Sequence, residues 1–175
     1  MQKIKTIWFF GLSGSGKTTL STVFSDMIDK DGRKSFLLDG DVIRKGVSNN
    51  LGFNKNDRAE NVRRIAEICK ILITVEIIPI VAAITPYKSN RDKIIEILGR
   101  DNLTLIYVDC SLEECEKRDP KNLYQKARMG EIKNFTGISD GFETPSASEY
   151  NFRIKTENKS IQQSEIELAE LFNKL

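Results

Sequence analysis

Ile7-Trp8-Phe9-Phe10-Gly11-Leu12-Ser13-Gly14-Ser15-Gly16-Lys17-Thr18 joins an apolar run to a complete G-x-x-x-x-G-K-[ST] pattern, and its reading decides the fold. The run has the composition of a buried strand, and the glycines after it make a phosphate-binding loop. Backbone N–H groups can converge on a phosphate only where no Cβ intervenes, which is what Gly11, Gly14 and Gly16 provide. Lys17 then supplies an ammonium for the β/γ-phosphates and Thr18 a hydroxyl for Mg²⁺, with Ser13, Ser15 and Thr19 in the same nucleotide site. Leu20, Val23, Phe24, Met27 and Ile28 follow at helical spacing. A helix therefore starts at the loop and adds its positive N-terminal dipole to the phosphate site.

The chain of 175 residues is long enough for one domain, 1–175, around one sizeable core. A net charge of +2 gives no general attraction to nucleic acid or to an anionic membrane, so neither is expected as a partner. The three cysteines, Cys69, Cys110 and Cys115, suggest neither a disulfide framework nor a zinc site, and reduced thiols in a cytoplasmic protein are expected. There is no histidine, which excludes Ser-His-Asp and Cys-His catalysis and leaves acid–base work to carboxylates. Met1 to Leu12 is too short and too close to the glycine loop for a secretory signal. Ile71 to Ile84, broken by Glu76 and Pro79, falls short of the roughly 20 residues that span a bilayer.

Beyond the first helix, Ser35 to Leu38 reads as a short buried strand ending at Asp39-Gly40-Asp41, whose two carboxylates would point the same way in extended backbone. Arg58 to about Val75 is a long helix with Val62, Ile65, Ala66, Cys69, Leu72 and Ile73 inward and Arg63, Arg64 and Lys70 outward. Ile77 to Ile84 has the composition of a central strand covered on both sides. Asn90 to Leu98 is helical and closed by Gly99, Leu103 to Val108 is a strand running into Asp109, and Ser111 caps a helix to Arg118. Pro120 to about Ser148 has no sustained period, and a loop of that length in a compact domain is read as a mobile lid. Phe152 to Ile154 is a last strand. Ser160 opens a helix with Ile161, Leu168, Leu171, Phe172 and Leu175 inward. The alternation predicts an α/β fold, a parallel five-stranded sheet with helices on both faces, and with the phosphate loop this makes a single P-loop NTPase/kinase-type domain. Ligands in such folds collect at the carboxyl ends of the strands, where Gly11, Asp39, Thr85 and Asp109 fall.

Asn54-Lys55-Asn56-Asp57 matches a guanine-reading N-K-x-D pattern but follows no strand, which argues against a GTPase. The acidic pair and the long basic segment favour a kinase, which must hold a second substrate and exclude water. The phosphate loop, Asp39-Gly40-Asp41-Val42-Ile43-Arg44, Leu51-Gly52-Phe53, Asp57 to Arg64, Ile84-Thr85-Pro86-Tyr87, Arg118-Asp119-Pro120-Lys121 and Gly130 to Gly137 occur in order, and together they resemble the adenylylsulfate kinase family over nearly the whole chain. No fused sulfurylase is expected from this reading. A nucleotide-binding regulator without catalysis is the alternative from another class. It would be marked by a broken loop or missing acceptor charges, yet Lys17, Thr18, Asp41, Arg44 and Arg58 are all present.

The resemblance implies phosphoryl transfer from ATP, with Mg²⁺, to the ribose 3′-hydroxyl of a nucleotide, most simply adenylyl sulfate. Lys17, Mg²⁺ at Thr18, and the lid cations Lys126 and Arg128 would neutralise the transferred charge. Asp41 would accept the hydroxyl proton or hold the metal's water, with Asp39 beside it. Arg44 and Arg58 would grip the acceptor's anionic end, since guanidinium forks suit sulfate and phosphate oxygens. Asn61 would face the same pocket, with Ile84, Thr85 and Lys133 around it, and Phe53 and Phe135 would sandwich the base. Arg118 and Thr156 would lie near the adenine of ATP. Two departures bear on the acceptor: Thr85-Pro86-Tyr87-Lys88 stands where the family commonly has Ser-Pro-Tyr-Arg, and Asp140-Gly141-Phe142-Glu143 where it has Asp-Pro-Tyr-Glu. Aromatic stacking accepts any base, so cytidine diphosphoramidate, the acceptor of relatives in capsule-sugar modification, stays open beside adenylyl sulfate. A homodimer is compatible with this reading.

Overall fold

The computed structural model describes residues 4–174. Five strands form one all-parallel sheet: β1 (Thr6–Phe10), β2 (Ser35–Asp39), β3 (Ile78–Ala82), β4 (Leu103–Asp109) and β5 (Phe152–Lys155), in the order β2-β3-β1-β4-β5. The helices between them are α1 (Lys17–Lys30), α2 (Gly40–Lys45), α3 (Lys55–Thr74), α4 (Lys88–Leu98), α5 (Leu112–Arg118) and α6 (Leu123–Arg128), and α7 (Ile161–Phe172) follows β5. Side chains alternate across a strand, so β1 feeds both faces of the sheet. Ile7 and Phe9 pack with Leu20, Phe24 and Ile28 of α1 and Leu168 and Leu171 of α7. Trp8 and Phe10 pack with Val62 and Ile65 of α3 and Ile94 and Leu98 of α4. A buried residue on every β1 position is what a central parallel strand requires. No helix among the described residues is long and apolar enough to cross a membrane.

Several boundaries differ from expectation for local reasons. β2 pairs only with β3 and is an edge strand, so it is not buried as its composition suggests, and Phe36 stands 52% exposed. The long helix begins at Lys55, because Asn54 Oδ1 accepts from Asp57 N (2.9 Å) and caps it. The N-K-x-D match is thus a helix cap and first turn. Pro120 to Ser148 is not structureless: it contains α6 and a short 3₁₀ turn at Ala147–Glu149. Ile161, expected inward, is 60% exposed at the start of α7, whereas Leu168 and Leu171 are buried as the spacing requires. The inward place expected for Leu175 lies outside the described residues.

Candidate active site

The phosphate loop turns at the carboxyl end of β1 and enters α1 directly. Two of its glycines are sterically obligatory. A Cβ on Gly11 would lie 2.4 Å from the Val108 carbonyl oxygen, and one on Gly14 would lie 3.0 Å from the Cys115 carbonyl oxygen. Lys17 is 9% exposed and its Nζ donates to the Leu12 carbonyl (2.6 Å), which curls the loop around the ammonium. Burial pushes the Lys17 pKa down to about 8, and the nearby Asp41 and Asp39 only partly offset this. Thr18 Oγ1 donates to Asp39 Oδ2 at 2.9 Å. At the other end of the loop, Arg118 donates to the Thr156 carbonyl (2.7 Å) and hydroxyl (3.3 Å), and Thr156 Oγ1 donates to Ser15 O (2.9 Å). Arg118 and Thr156 are therefore one unit beside the loop.

Asp39 and Asp41 do not share an extended segment. Asp39 ends β2 and caps α2, its Oδ1 accepting from Asp41 N (2.8 Å), while Asp41 sits in the first helical turn. The helix rotates Asp41 away from Asp39 and out over the strand ends, where its Oδ2 accepts from Lys121 Nζ at 2.5 Å. Lys121 is a site residue that sequence reasoning quoted without giving it a role. The available signal was its place just past Pro120, where the chain leaves α5 and turns back across the strand ends.

Opposite the loop, Arg44 lies over the Phe53 ring, with Cζ 4.5 Å from the centroid, and Nη1 donates to Gly52 O (2.7 Å). Burial, then the neighbouring Arg58, lowers the Arg44 pKa. Arg58 is committed to the protein: Nε donates to Phe53 O (2.8 Å) and Nη2 to Asn134 O (2.6 Å), and Asp140 Oδ2 lies 3.3 Å from Nε. It ties the loop carrying Phe53 to the one carrying Phe135. Asn61 is buried with Oδ1 unpartnered by protein, which leaves an acceptor for a ligand donor. Phe135 is 8% exposed and meets Tyr124 edge-on at 4.9 Å between centroids, whereas Phe53 is 49% exposed.

These groups surround one cavity of about 1220 Å³. A pocket for one small ligand measures roughly 300–1,000 Å³, so a cavity of this size has room for two substrates. Its wall includes Lys17, Thr18, Asp39 and Asp41 on one side and Arg44, Phe53, Asn61, Thr85 and Phe135 on the other. Lys126, Arg128 and Lys133 are not brought into it. Arg128 instead pairs with Glu116 (2.8 Å) on the surface. Lys159, Ile161 and Ser164 do line it and were missed, because a capped amphipathic helix reads from sequence as core packing.

The family profile described as adenylylsulphate kinase matches residues 3–153. An adenylyl-sulfate kinase of Clostridium kluyveri is 48% identical over 157 residues, covering 90% of this chain and 77% of that protein. One from Bacteroides fragilis is 53% identical over 139 residues, covering 79% and 69%. The structure of the Mycobacterium tuberculosis APS kinase in complex with AMPPNP and APS superposes with a TM-score of 0.90 at 35% identity, covering 98% of each chain.

Proposed function

This chain belongs to the adenylylsulphate kinase family, and from that premise we propose that it transfers the γ-phosphoryl group of ATP to the 3′-hydroxyl of adenylyl sulfate, giving 3′-phosphoadenylyl sulfate and ADP. The observation that carries this reading is the two-sided cavity. A phosphate cradle built on Lys17 and Thr18 faces an aromatic and arginine-lined pocket, and Asp41 and Lys121 stand at the join.

The transition state of phosphoryl transfer is loose, so the protein contributes charge and alignment more than covalent chemistry. The acceptor's 3′-oxygen attacks Pγ as the bond from Pγ to the β,γ-bridging oxygen breaks, the electron pair leaves on ADP, and the hydroxyl proton passes to Asp41 or to water beside it. Lys17 and Lys121 place ammonium groups on both flanks of the transferred group. In this reading, Arg118 and Thr156 flank the ATP base. Arg44 and Phe53 receive the acceptor, and the unpartnered Asn61 Oδ1 takes one of its donors. Arg58 lines the same pocket while bracing the loops that carry Phe53 and Phe135. The segment 120–148 acts as the lid of this single domain, and its closure would be the step that carries Lys126, Arg128 and Lys133 toward the phosphates.

The residues present also fit Mg²⁺. The Thr18 hydroxyl and the Asp39 carboxylate meet at 2.9 Å, with Asp41 two residues on, and these are hard oxygen donors. Thr18 and the two aspartates would hold the ion, and it would neutralise charge on the β/γ-oxygens.

Stacking between Phe53 and Phe135 does not choose between adenine and cytosine. The relatives' activity favours adenylyl sulfate over cytidine diphosphoramidate, and the intact charge set speaks against a non-catalytic regulator. The test is ADP release with ATP and Mg²⁺ in parallel assays with the two acceptors. A large excess of kcat/KM for adenylyl sulfate is expected, and turnover with neither would overturn the kinase reading.

A further inference from the structure

The turn Ile84–Pro86 lies between the donor and acceptor halves of the cavity and is held in a conformation that its sequence disfavours. Thr85 has φ of 47°, in the left-handed region, which a β-branched residue enters only when its surroundings impose it. Trp8 Nε1 holds it from the sheet side by donating to Thr85 Oγ1 at 3.0 Å. Arg91 of α4 holds it from below: Nη1 donates to Thr85 O (3.3 Å) and Pro86 O (3.4 Å), and Nη2 to Glu143 O (3.1 Å). Glu149 Oε2 lies 2.9 Å from Nε and 2.8 Å from Nη2, and Cζ is 5.5 Å from the Phe10 ring centroid.

Arg91 is 1% exposed, and a buried ion pair is seldom there for stability, since apolar residues of similar volume fill such a space as well. What the guanidinium achieves is donation to three carbonyls on two separate segments at once, which no other side chain matches. The turn it holds touches both halves of the site. Ile84 O accepts from Gly11 N of the phosphate loop (3.2 Å), Pro86 O accepts from Glu143 N (2.9 Å), and Ile84, Thr85 and Pro86 all line the cavity.

We propose that Arg91, backed by Glu149, is a positioning residue: it keeps the strained Ile84–Pro86 turn in place and so sets the acceptor's position against the phosphate loop without touching either substrate. The inference rests on the reaction proposed above, and its test carries one readout that does not. Trp8 is the only tryptophan, and its indole N–H is bonded to the turn itself.

The variants are Arg91→Lys, the milder Glu149→Gln, and Thr85→Gly placed in the Arg91→Lys background. Arg91→Lys should raise the acceptor KM about tenfold or more, the factor that release of backbone strain of this kind corresponds to. Kd for a non-hydrolysable ATP analogue without acceptor should stay within about twofold, because Lys17 and the loop glycines are untouched. Trp8 emission, read with no ligand present, should shift. Glu149→Gln should move both quantities the same way by less. Thr85→Gly should recover at least about threefold of the lost acceptor KM, since glycine enters the left-handed region freely. Unshifted Trp8 emission in both single variants would overturn the proposal, whatever the acceptor proves to be. So would an acceptor KM unchanged in an Arg91→Lys protein whose parent turns over adenylyl sulfate, or equal losses for both substrates that Thr85→Gly does not relieve. Absence of turnover in the parent, with Trp8 emission shifted in the variants, would overturn the assigned reaction and leave Arg91's hold on the turn supported.

Discussion

Phe53→Ala separates acceptor binding from folding. Phe53 is 49% exposed, and the guanidinium groups of Arg44 and Arg58 lie over its ring, with Cζ 4.5 and 5.6 Å from its centroid. Truncation opens no core cavity, so the stability cost is that of a surface change plus two partly exposed cation–π contacts, about 1 kcal/mol. The functional cost is larger. A base stacked on an aromatic ring is worth about 1–3 kcal/mol, which corresponds to a rise of about five- to 150-fold in acceptor KM. In the proposed reading ATP lies on the other wall of the cavity, so its KM should change less than about twofold. Phe135 provides the contrast. It is 8% exposed and packed edge-on against Tyr124, so Phe135→Ala should lose about 3–5 kcal/mol of stability and confound any binding measurement. The assay is steady-state ADP release with each substrate varied in turn, beside thermal unfolding. Equal increases in both KM values for Phe53→Ala, or a fall in Tm as large as that of Phe135→Ala, would refute the stacking role.

Burial holds the Lys17 pKa near about 8, so the free protein loses this charge as pH rises through that value, while bound phosphates favour the ammonium. ATP affinity should be constant below about pH 7 and fall by up to about tenfold per unit above pH 8, with proton uptake on binding measurable by calorimetry in two buffers at about pH 8.5; a flat profile to about pH 9.5 contradicts it. Lys121→Met leaves Asp41 without its 2.5 Å partner and should lower kcat by about 10²-fold, as loss of one preorganised cation at a charged transition state does, and a change below about threefold would remove Lys121 from the site. Gly11→Ala puts a methyl group 2.4 Å from a backbone oxygen of β4, so the strand or the loop must shift. The expected cost is about 1–3 kcal/mol, read as a lower Tm, together with loss of ATP binding, and wild-type values for both would show that the close approach does not matter.

The amino-acid sequence by itself determined whatever depends on neighbours along the chain. The phosphate loop is legible because its glycines, lysine and threonine act within eight consecutive residues, and the strand before it and helix after it follow from periodicity. The caps at Ser111 and Ser160 are local in the same sense, whereas the cap at Asn54, four residues before the expected helix start, imitates a base-reading motif and came from the structure. The ordered motifs that carried the family resemblance needed no coordinates either.

Only the tertiary structure decided which residues meet across the chain. It placed β2 at the sheet edge, a matter of strand order that composition does not encode. It put Asp41 on a helical turn, and that rotation carried the carboxylate to Lys121, 80 residues away. It bound Arg58 to the carbonyls of Phe53 and Asn134 at the cavity wall, so that one guanidinium braces two loops that are far apart in the chain, and it left Lys126, Arg128 and Lys133 outside the cavity. The strain at Thr85 has no signature in sequence, since it arises from Trp8 and Arg91 converging on one turn from two different elements. The physical reason is common to all of these. Local propensity fixes what each segment becomes, whereas the direction of a side chain at the site depends on how packed elements cross, and that is settled only when the core closes.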